Sequence, residues 1–227
     1  FLILNGSQLI FYAAKSKELH GRATPLFVRA IAAEGAGPVH SGVLHSIFMH
    51  FPGFRVAAPV TPLEYKAVWD DFMAHDDPMI VSEHRASYLN TEELPDISAQ
   101  NARITIYAVS VTRFEAVKAA KMLADEGIAC NVVHLLWLKP FDLDERLLAP
   151  LRSSGRGLVV DAGHEIAGAS QAIAYSLSNA TGKPVRALGL ADRTKCLCDP
   201  LKNAFPDALS IAAAARDILA RKAGCDE

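Results

Sequence analysis

Ile104-Thr105-Ile106-Tyr107-Ala108-Val109-Ser110-Val111-Thr112-Arg113-Phe114-Glu115 decides the fold class. A β-branched, mostly apolar run passes without a linker into a threonine followed three residues later by a glutamate, the pairing that caps a helix N-terminus. A strand is therefore expected over 104–111, and a helix from Thr112 to a stop at Glu126-Gly127. The alternation continues downstream. Strands are expected within 128–138 and over 157–161 and 185–190. Helices are expected from Asp142 with Glu145, over 167–180 and over 211–221. Apolar strands alternating with helices make a mostly parallel sheet covered on both faces. Ligands of such sheets engage the loops at the carboxyl ends of the strands.

Upstream the pattern is similar. A helix is expected over 7–19 and short strands over 25–31, 54–60 and 79–83. Before the last of these, Thr61-Pro62-Leu63-Glu64 combines a capping residue, a proline suited to the first helical position and a glutamate that can reach back. Val68, Trp69, Phe72 and Met73 then share a face until Asp76-Asp77-Pro78. Polar, proline-containing sequence over 91–102 reads as a linker. The expected architecture is α/β, with two parallel-sheet domains over 1–90 and 103–227.

Composition narrows the function. Of 227 residues, 51% are apolar and 21% charged, which is enough to build a core and unlike a disordered chain. A net charge of −2 gives no basic surface spanning the molecule, and nothing suggests nucleic-acid binding. Phe1-Leu2-Ile3-Leu4 lacks a preceding basic segment and is interrupted at Asn5-Gly6-Ser7-Gln8, so it does not read as a signal peptide. No run approaches the roughly 20 apolar residues of a membrane helix. Cys130, Cys196, Cys198 and Cys225 are too few and too unevenly spaced for a disulfide framework, and point to a reducing compartment.

The richest stretch for chemistry is Gly35-Ala36-Gly37-Pro38-Val39-His40-Ser41-Gly42, which follows an expected strand and pairs a histidine with a serine. Glycines let backbone approach a ligand closely, and imidazole exchanges protons near neutral pH. From spacing alone, His40, His45, His50 and His84 read equally as exposed or helix-surface histidines. His40, His45 and His50, five apart, do not share a helix face and make a poor zinc set, and Cys196-Leu197-Cys198 lacks a second ligand pair. Gly163-His164-Glu165 with Ala167-Gly168-Ala169 sits before a helix, where an anion could bind. Such glycines more often serve a tight turn. The Asp70-Asp71 and Asp76-Asp77 pairs read as solvated surface. No GxGxxG, Walker or GxSxG motif is present.

Taken together, Gly37-Pro38-Val39-His40-Ser41 and the run Phe48-Met49-His50-Phe51-Pro52-Gly53-Phe54-Arg55-Val56-Ala57-Ala58-Pro59-Val60-Thr61-Pro62 resemble the beta subunits of thiamine-diphosphate-dependent 2-oxoacid dehydrogenases, of the transketolase-like superfamily. The likeness extends to Gln8-Leu9-Ile10, Ala13-Ala14-Lys15, Pro25-Leu26-Phe27-Val28-Arg29, Asp77-Pro78-Met79-Ile80 and Glu83-His84-Arg85. In the second half it takes in Leu138-Lys139-Pro140-Phe141-Asp142, Val159-Val160-Asp161-Ala162 and Phe205-Pro206-Asp207.

The resemblance implies a pyrimidine-binding α/β domain, incomplete at its N-terminus, followed by the transketolase-type C-terminal domain. It implies decarboxylation of a 2-oxoacid and acyl transfer to lipoyl groups. His40 would be the catalytic histidine, and Gly37, Ser41 and Gly42 would belong to the active-site loop. The implied cofactors are thiamine diphosphate and magnesium, shared with or held by a partner. The implied assembly is an alpha2-beta2 heterotetramer with a beta–beta contact, serving a dihydrolipoyl acyltransferase in a bacterial or archaeal cytoplasm or, second, a mitochondrial matrix.

Three departures stand out. Gly42 replaces the family's glutamine, Leu136-Trp137 stands where the family has an arginine, and the family's cofactor-activating glutamate belongs upstream of Phe1. A ketose-transferring or acetoin-cleaving relative, and a non-catalytic assembly subunit that keeps the fold, remain open as alternatives.

Overall fold

In chain order, a π-helical stretch Gln8–Ala13 runs into α1 (Ala14–His20), followed by β1 (Phe27–Ala32), α2 (His45–His50), β2 (Arg55–Ala57), α3 (Pro62–Ala74) and β3 (Met79–His84). After a 3-10 turn at Arg85–Ser87 come β4 (Ile104–Val109), α4 (Thr112–Asp125), β5 (Cys130–Leu135), β6 (Trp137–Lys139) and α5 (Glu145–Ser154). The chain closes with β7 (Gly157–His164), α6 (Ala169–Thr181), β8 (Val185–Leu190) and α7 (Ala208–Ala220). The structure, a computed structural model, describes residues 2–33, 41–193 and 203–221. It divides into two units. The first takes in the described residues up to Leu94 together with Leu136–Asp142. The second takes in the described residues from Pro95 to Leu135 and beyond Asp142.

The first unit is built on a sheet of order β1-β3-β2-β6. β1, β3 and β2 are parallel, whereas β6 runs antiparallel to β2, with Val56 opposite Lys139 and Ala57 opposite Trp137. The expected single strand within 128–138 is thus two strands, and the second of them completes the first unit's sheet. Its anchors are polar as well as apolar. Ala58 N–H donates to the Leu136 carbonyl at 2.9 Å. The Lys139 ammonium donates to the carbonyls of Met49, at 3.0 Å, and Phe51, closing the C-terminus of α2. Burial pulls the Lys139 pKa down, but carbonyls at a helix C-terminus favour the cation.

On one face of this sheet Val68 of α3 packs with Ala57, Met79 and Val81. Phe27 sets its ring edge-on to Trp69 and Phe72, each at 5.2 Å. Elsewhere in the unit Phe48 of α2 meets Phe54 edge-on at 5.4 Å. The strand expected over 54–60 ends at Ala57, because Pro59 has no N–H for a ladder. The capping glutamate of α3 is in place, accepting from Val60 N–H at 3.0 Å and Thr61 N–H at 3.3 Å. Asp71, expected on solvated surface, instead grips Arg55 through two bonds of 2.7 and 2.6 Å.

The second unit has the parallel order β5-β4-β7-β8. The first strand of this sheet in sequence, β4, lies inside, with the next two, β5 and β7, on either side, the order of a doubly wound sheet. Ile104, Ile106, Val132, Leu158 and Val160 form a core with Ala116, Ala119 and Leu123 of α4 and Ile211, Ala212 and Ala215 of α7.

Two local expectations differ here. No capping box forms at Thr112–Glu115. Thr112 is already helical and buried, its hydroxyl donating to the carbonyls of Val109 (2.6 Å) and Val160 (3.1 Å). Glu115 accepts instead from the Ala208 N–H of α7 at 3.0 Å. α5 is capped by Asp144, not Asp142, through a 3.1 Å bond from Leu147 N–H. Two residues that follow Leu94 also bond within this unit. Ile97 bridges Val132, and Asp96 accepts from His134 N–H at 2.8 Å.

Candidate active site

The carboxyl ends of β1 and β3 lie side by side, with Ile31 opposite Glu83 and Ala32 opposite His84. In the chain, the segment that carries Gly37 and His40 follows this end of β1. Gly37 and His40 lie outside the described residues, as do Cys196, Cys198 and Cys225. The loop's return is described. Gly42 N–H donates to the Ala33 carbonyl at 3.0 Å, closing an antiparallel bridge. Gly42 has φ of 120°, a conformation that a glutamine side chain would strain. Ser41 is half-buried beside it.

Strand alternation sends neighbouring residues of β3 to opposite faces. Ser82 meets α2, where its hydroxyl lies 3.1 Å from Nδ1 of His45. His45 is therefore a core residue, 1% exposed, and not the helix-surface histidine that its spacing allowed. His84 is equally buried, its Nδ1 accepting from Ala86 N–H at 3.2 Å. His50 is exposed at the end of α2.

Glu83 turns to the other face, 2% exposed. Arg29 holds it through Nε and Nη2, both at 2.7 Å, and the Tyr88 hydroxyl adds a bond at 3.1 Å. These residues, with Thr61, Pro62, Tyr65 and Asn90, line a cavity of about 230 Å³ at the N-terminus of α3. Burial, then the charge of Glu83, pushes the Tyr65 hydroxyl up to about 12, and the same causes raise Tyr88. Both phenols are hydrogen-bond donors at neutral pH. The guanidinium of Arg29 is raised by its bond to Glu83 and stays charged throughout the physiological range.

The α3 N-terminus is saturated by the chain itself. Leu63 N–H donates to Glu93 at 2.9 Å, beside the two bonds to Glu64. The sequence reading missed the Arg29–Glu83–Tyr88 cluster. Its signal was an acidic residue within an otherwise apolar strand, Met79-Ile80-Val81-Ser82-Glu83.

Thiamine diphosphate needs a carboxylate free to hydrogen-bond its aminopyrimidine ring. In the first unit the buried carboxylate among the described residues is Glu83. Both its oxygens are committed to Arg29, so the described residues do not supply that partner. In the second unit, residues 165–168 form a tight turn between β7 and α6. A Cβ on Gly168 would fall 1.9 Å from the His164 carbonyl oxygen, and Gln171 accepts from Ala167 N–H at 2.9 Å. Among the described residues no group of three or more His, Cys, Asp or Glu is placed to hold a metal, and no helix is long and apolar enough to cross a membrane.

Comparison with known proteins agrees with this geometry. Residues 4–90 match the transketolase pyrimidine-binding domain and residues 96–208 the transketolase C-terminal domain. The beta subunit of acetoin:2,6-dichlorophenolindophenol oxidoreductase from Cupriavidus necator is 32% identical over 171 residues, 68% of this chain and 50% of that protein. The pyruvate dehydrogenase E1 component subunit beta of Rickettsia felis is 26% identical over 154 residues, 63% of this chain and 47% of its own length. The chain thus spans about half the length of these relatives. A solved split-gene transketolase, an inactive beta4 tetramer, superposes with a TM-score of 0.69 at 23% identity, over 87% of this chain and 67% of that one. The chain belongs to the transketolase family, carrying its pyrimidine-binding domain and then its C-terminal domain, and is related in sequence to the beta subunits of 2-oxoacid and acetoin dehydrogenases.

Proposed function

We propose that this chain is the beta-type part of the decarboxylating component of a 2-oxoacid dehydrogenase, acting with thiamine diphosphate and magnesium that a partner alpha subunit shares or holds. The observation that carries the reading is the pairing of both family domains with similarity to beta subunits of such components. The cofactor would supply the electron sink for loss of carbon dioxide. This chain would contribute the loop over 34–42. In it His40 donates or accepts the proton that moves as the acyl group is transferred, Gly37 gives the loop its close approach, and Ser41 orients it. The bridge from Gly42 to Ala33 and the buried His45–Ser82 contact fix the loop's return end.

The proposed assembly is an alpha2-beta2 heterotetramer with a beta–beta contact, passing acyl groups to a dihydrolipoyl acyltransferase in the cytoplasm. Domain limits near 1–90 and 103–227, with a connecting segment between, belong to the same proposal. Acetoin cleavage is the second reading, favoured by the 32% identity to an acetoin oxidoreductase beta subunit.

The test is the full-length gene product assembled with its alpha partner, wild type against His40→Ala. Lipoamide-dependent turnover is expected to fall at least 100-fold, within the range of proton-transfer catalysis, about 10²–10⁴-fold. Unchanged turnover would remove His40 from the chemistry.

A further inference from the structure

Arg103 and Arg156 stand immediately before β4 and β7, adjacent parallel strands in which Thr105 lies opposite Gly157. Both line a cavity of about 340 Å³ at the amino ends of these strands, together with Ala102, Ser154, Gly155 and Leu219. Among the described residues neither guanidinium pairs with a carboxylate. Arg156 donates from Nη1 to the Leu219 carbonyl at 3.1 Å, which fixes its fork against the end of α7. Arg103 is exposed, and its side chain has no hydrogen-bond partner among the described residues. The Ser154 hydroxyl is turned inward, 2.8 Å from Thr105 Oγ1 and 3.1 Å from the Arg156 carbonyl oxygen. The charged residues lining the cavity, among those described, are Arg103 and Arg156.

Two like charges lining one cavity repel, and an anion between them turns that repulsion into attraction. The planar, multidentate guanidinium matches oxyanions, phosphate above all, through paired N–H bonds. A dianion balances both charges where a single carboxylate balances one. We propose that this cavity binds the phosphoryl group of a small phosphorylated metabolite. The site lies at the opposite end of the strands from the loops at which such sheets take their principal ligands. It is separate from the proposed chemistry, and stands whether or not the chain is part of a decarboxylase.

The probe is pyrophosphate, titrated calorimetrically into the full chain at fixed ionic strength, with citrate as a carboxylate of similar charge. Wild type is expected to bind pyrophosphate saturably and more tightly than citrate. Arg103→Gln and Arg156→Gln should each raise Kd at least tenfold, the double variant should show no binding, and Arg22→Gln, which alters an exposed arginine of the first unit, should match wild type. Arg156→Gln loses the bond to Leu219. If that variant fails to fold, Arg103→Gln, whose side chain makes no hydrogen bond among the described residues, decides alone. Absence of saturable binding, equal binding by the Arg103 variant, equal loss in Arg22→Gln or equal affinity for citrate would each overturn the proposal.

Discussion

Arg29 and Glu83 form a salt bridge but sit unequally, the arginine side chain 60% exposed and the carboxylate 3%. That asymmetry orders the cost of removing each. Arg29→Met strands a buried carboxylate whose remaining side-chain hydrogen bond among the described residues is from Tyr88, whereas Glu83→Gln leaves a guanidinium that water can solvate. Urea unfolding should give a loss of about 3 kcal/mol for the first and about 1 kcal/mol for the second. The reverse order would mean that the pair is not arranged as described. A second residue-scale prediction concerns Cys130. Burial pushes its thiol up to about 11, so at pH 8 it is overwhelmingly protonated and unreactive. Peptide mass spectrometry after iodoacetamide treatment at that pH should find Cys130 unmodified in the native chain and modified in urea.

At this scale the sequence was a partial guide. Glu64 was legible as a helix cap because its partners are local. His45 was not, because what buries it is Ser82, thirty-seven residues away on a neighbouring element. The same distance effect hid Glu83, whose meaning depends on Arg29 across a strand pairing that no local pattern announces.

Elements show where local signals were overridden. Thr112 and Glu115 have the spacing of a capping box, yet tertiary partners claim both side chains, and Glu115 instead helps start α7. Asp207 caps the same helix, its carboxylate accepting from Ser210 N–H at 2.8 Å. Glu115→Ala and Asp207→Ala should each cost about 1 kcal/mol. Because both act on one helix start, the double variant should lose less than the sum. Asp207 also carries a pH signature. Its bonds to the Ser210 hydroxyl and N–H hold its pKa below the ordinary carboxylate value. The stabilisation is therefore complete above that ordinary value and lost as pH falls through the depressed one. Asp207→Ala should accordingly narrow its gap to wild type in acid.

β6 is the element that periodicity could not place. Trp137-Leu138-Lys139 continues the apolar run of β5, and only the pairing partner reveals that it belongs to the other sheet. The register of the strand–helix alternation was otherwise readable, since buried parallel strands are written as unbroken apolar runs.

On the scale of the whole molecule, both units carry acidic groups kept neutral by burial, so alkali should unfold the chain from within. Cys130 moves from 9.0 to about 11 and Tyr65 from 10.0 to about 12. Tyr107 is raised by burial, then by Asp96. A raised folded-state pKa means that the native state holds protons which the unfolded chain releases. Stability is full below pH 9 and declines as pH rises toward about 11 and 12. Thermal midpoints measured from pH 8 to 11 should fall steadily above pH 9, and Cys130→Ala should fall less steeply between pH 9 and 11.

The two-domain family assignment gives this molecule its fold, while its proposed chemistry depends on a loop, a cofactor and a partner acting together. The most direct test is turnover by the full-length protein assembled with its alpha subunit, supplied with thiamine diphosphate, magnesium and lipoamide. Release of carbon dioxide from 2-oxoacids such as pyruvate would be measured beside cleavage of acetoin. Decarboxylation of a 2-oxoacid should exceed acetoin cleavage and be abolished by omitting thiamine diphosphate. Acetoin cleavage without 2-oxoacid turnover, or no cofactor-dependent reaction at all, would contradict the proposed function.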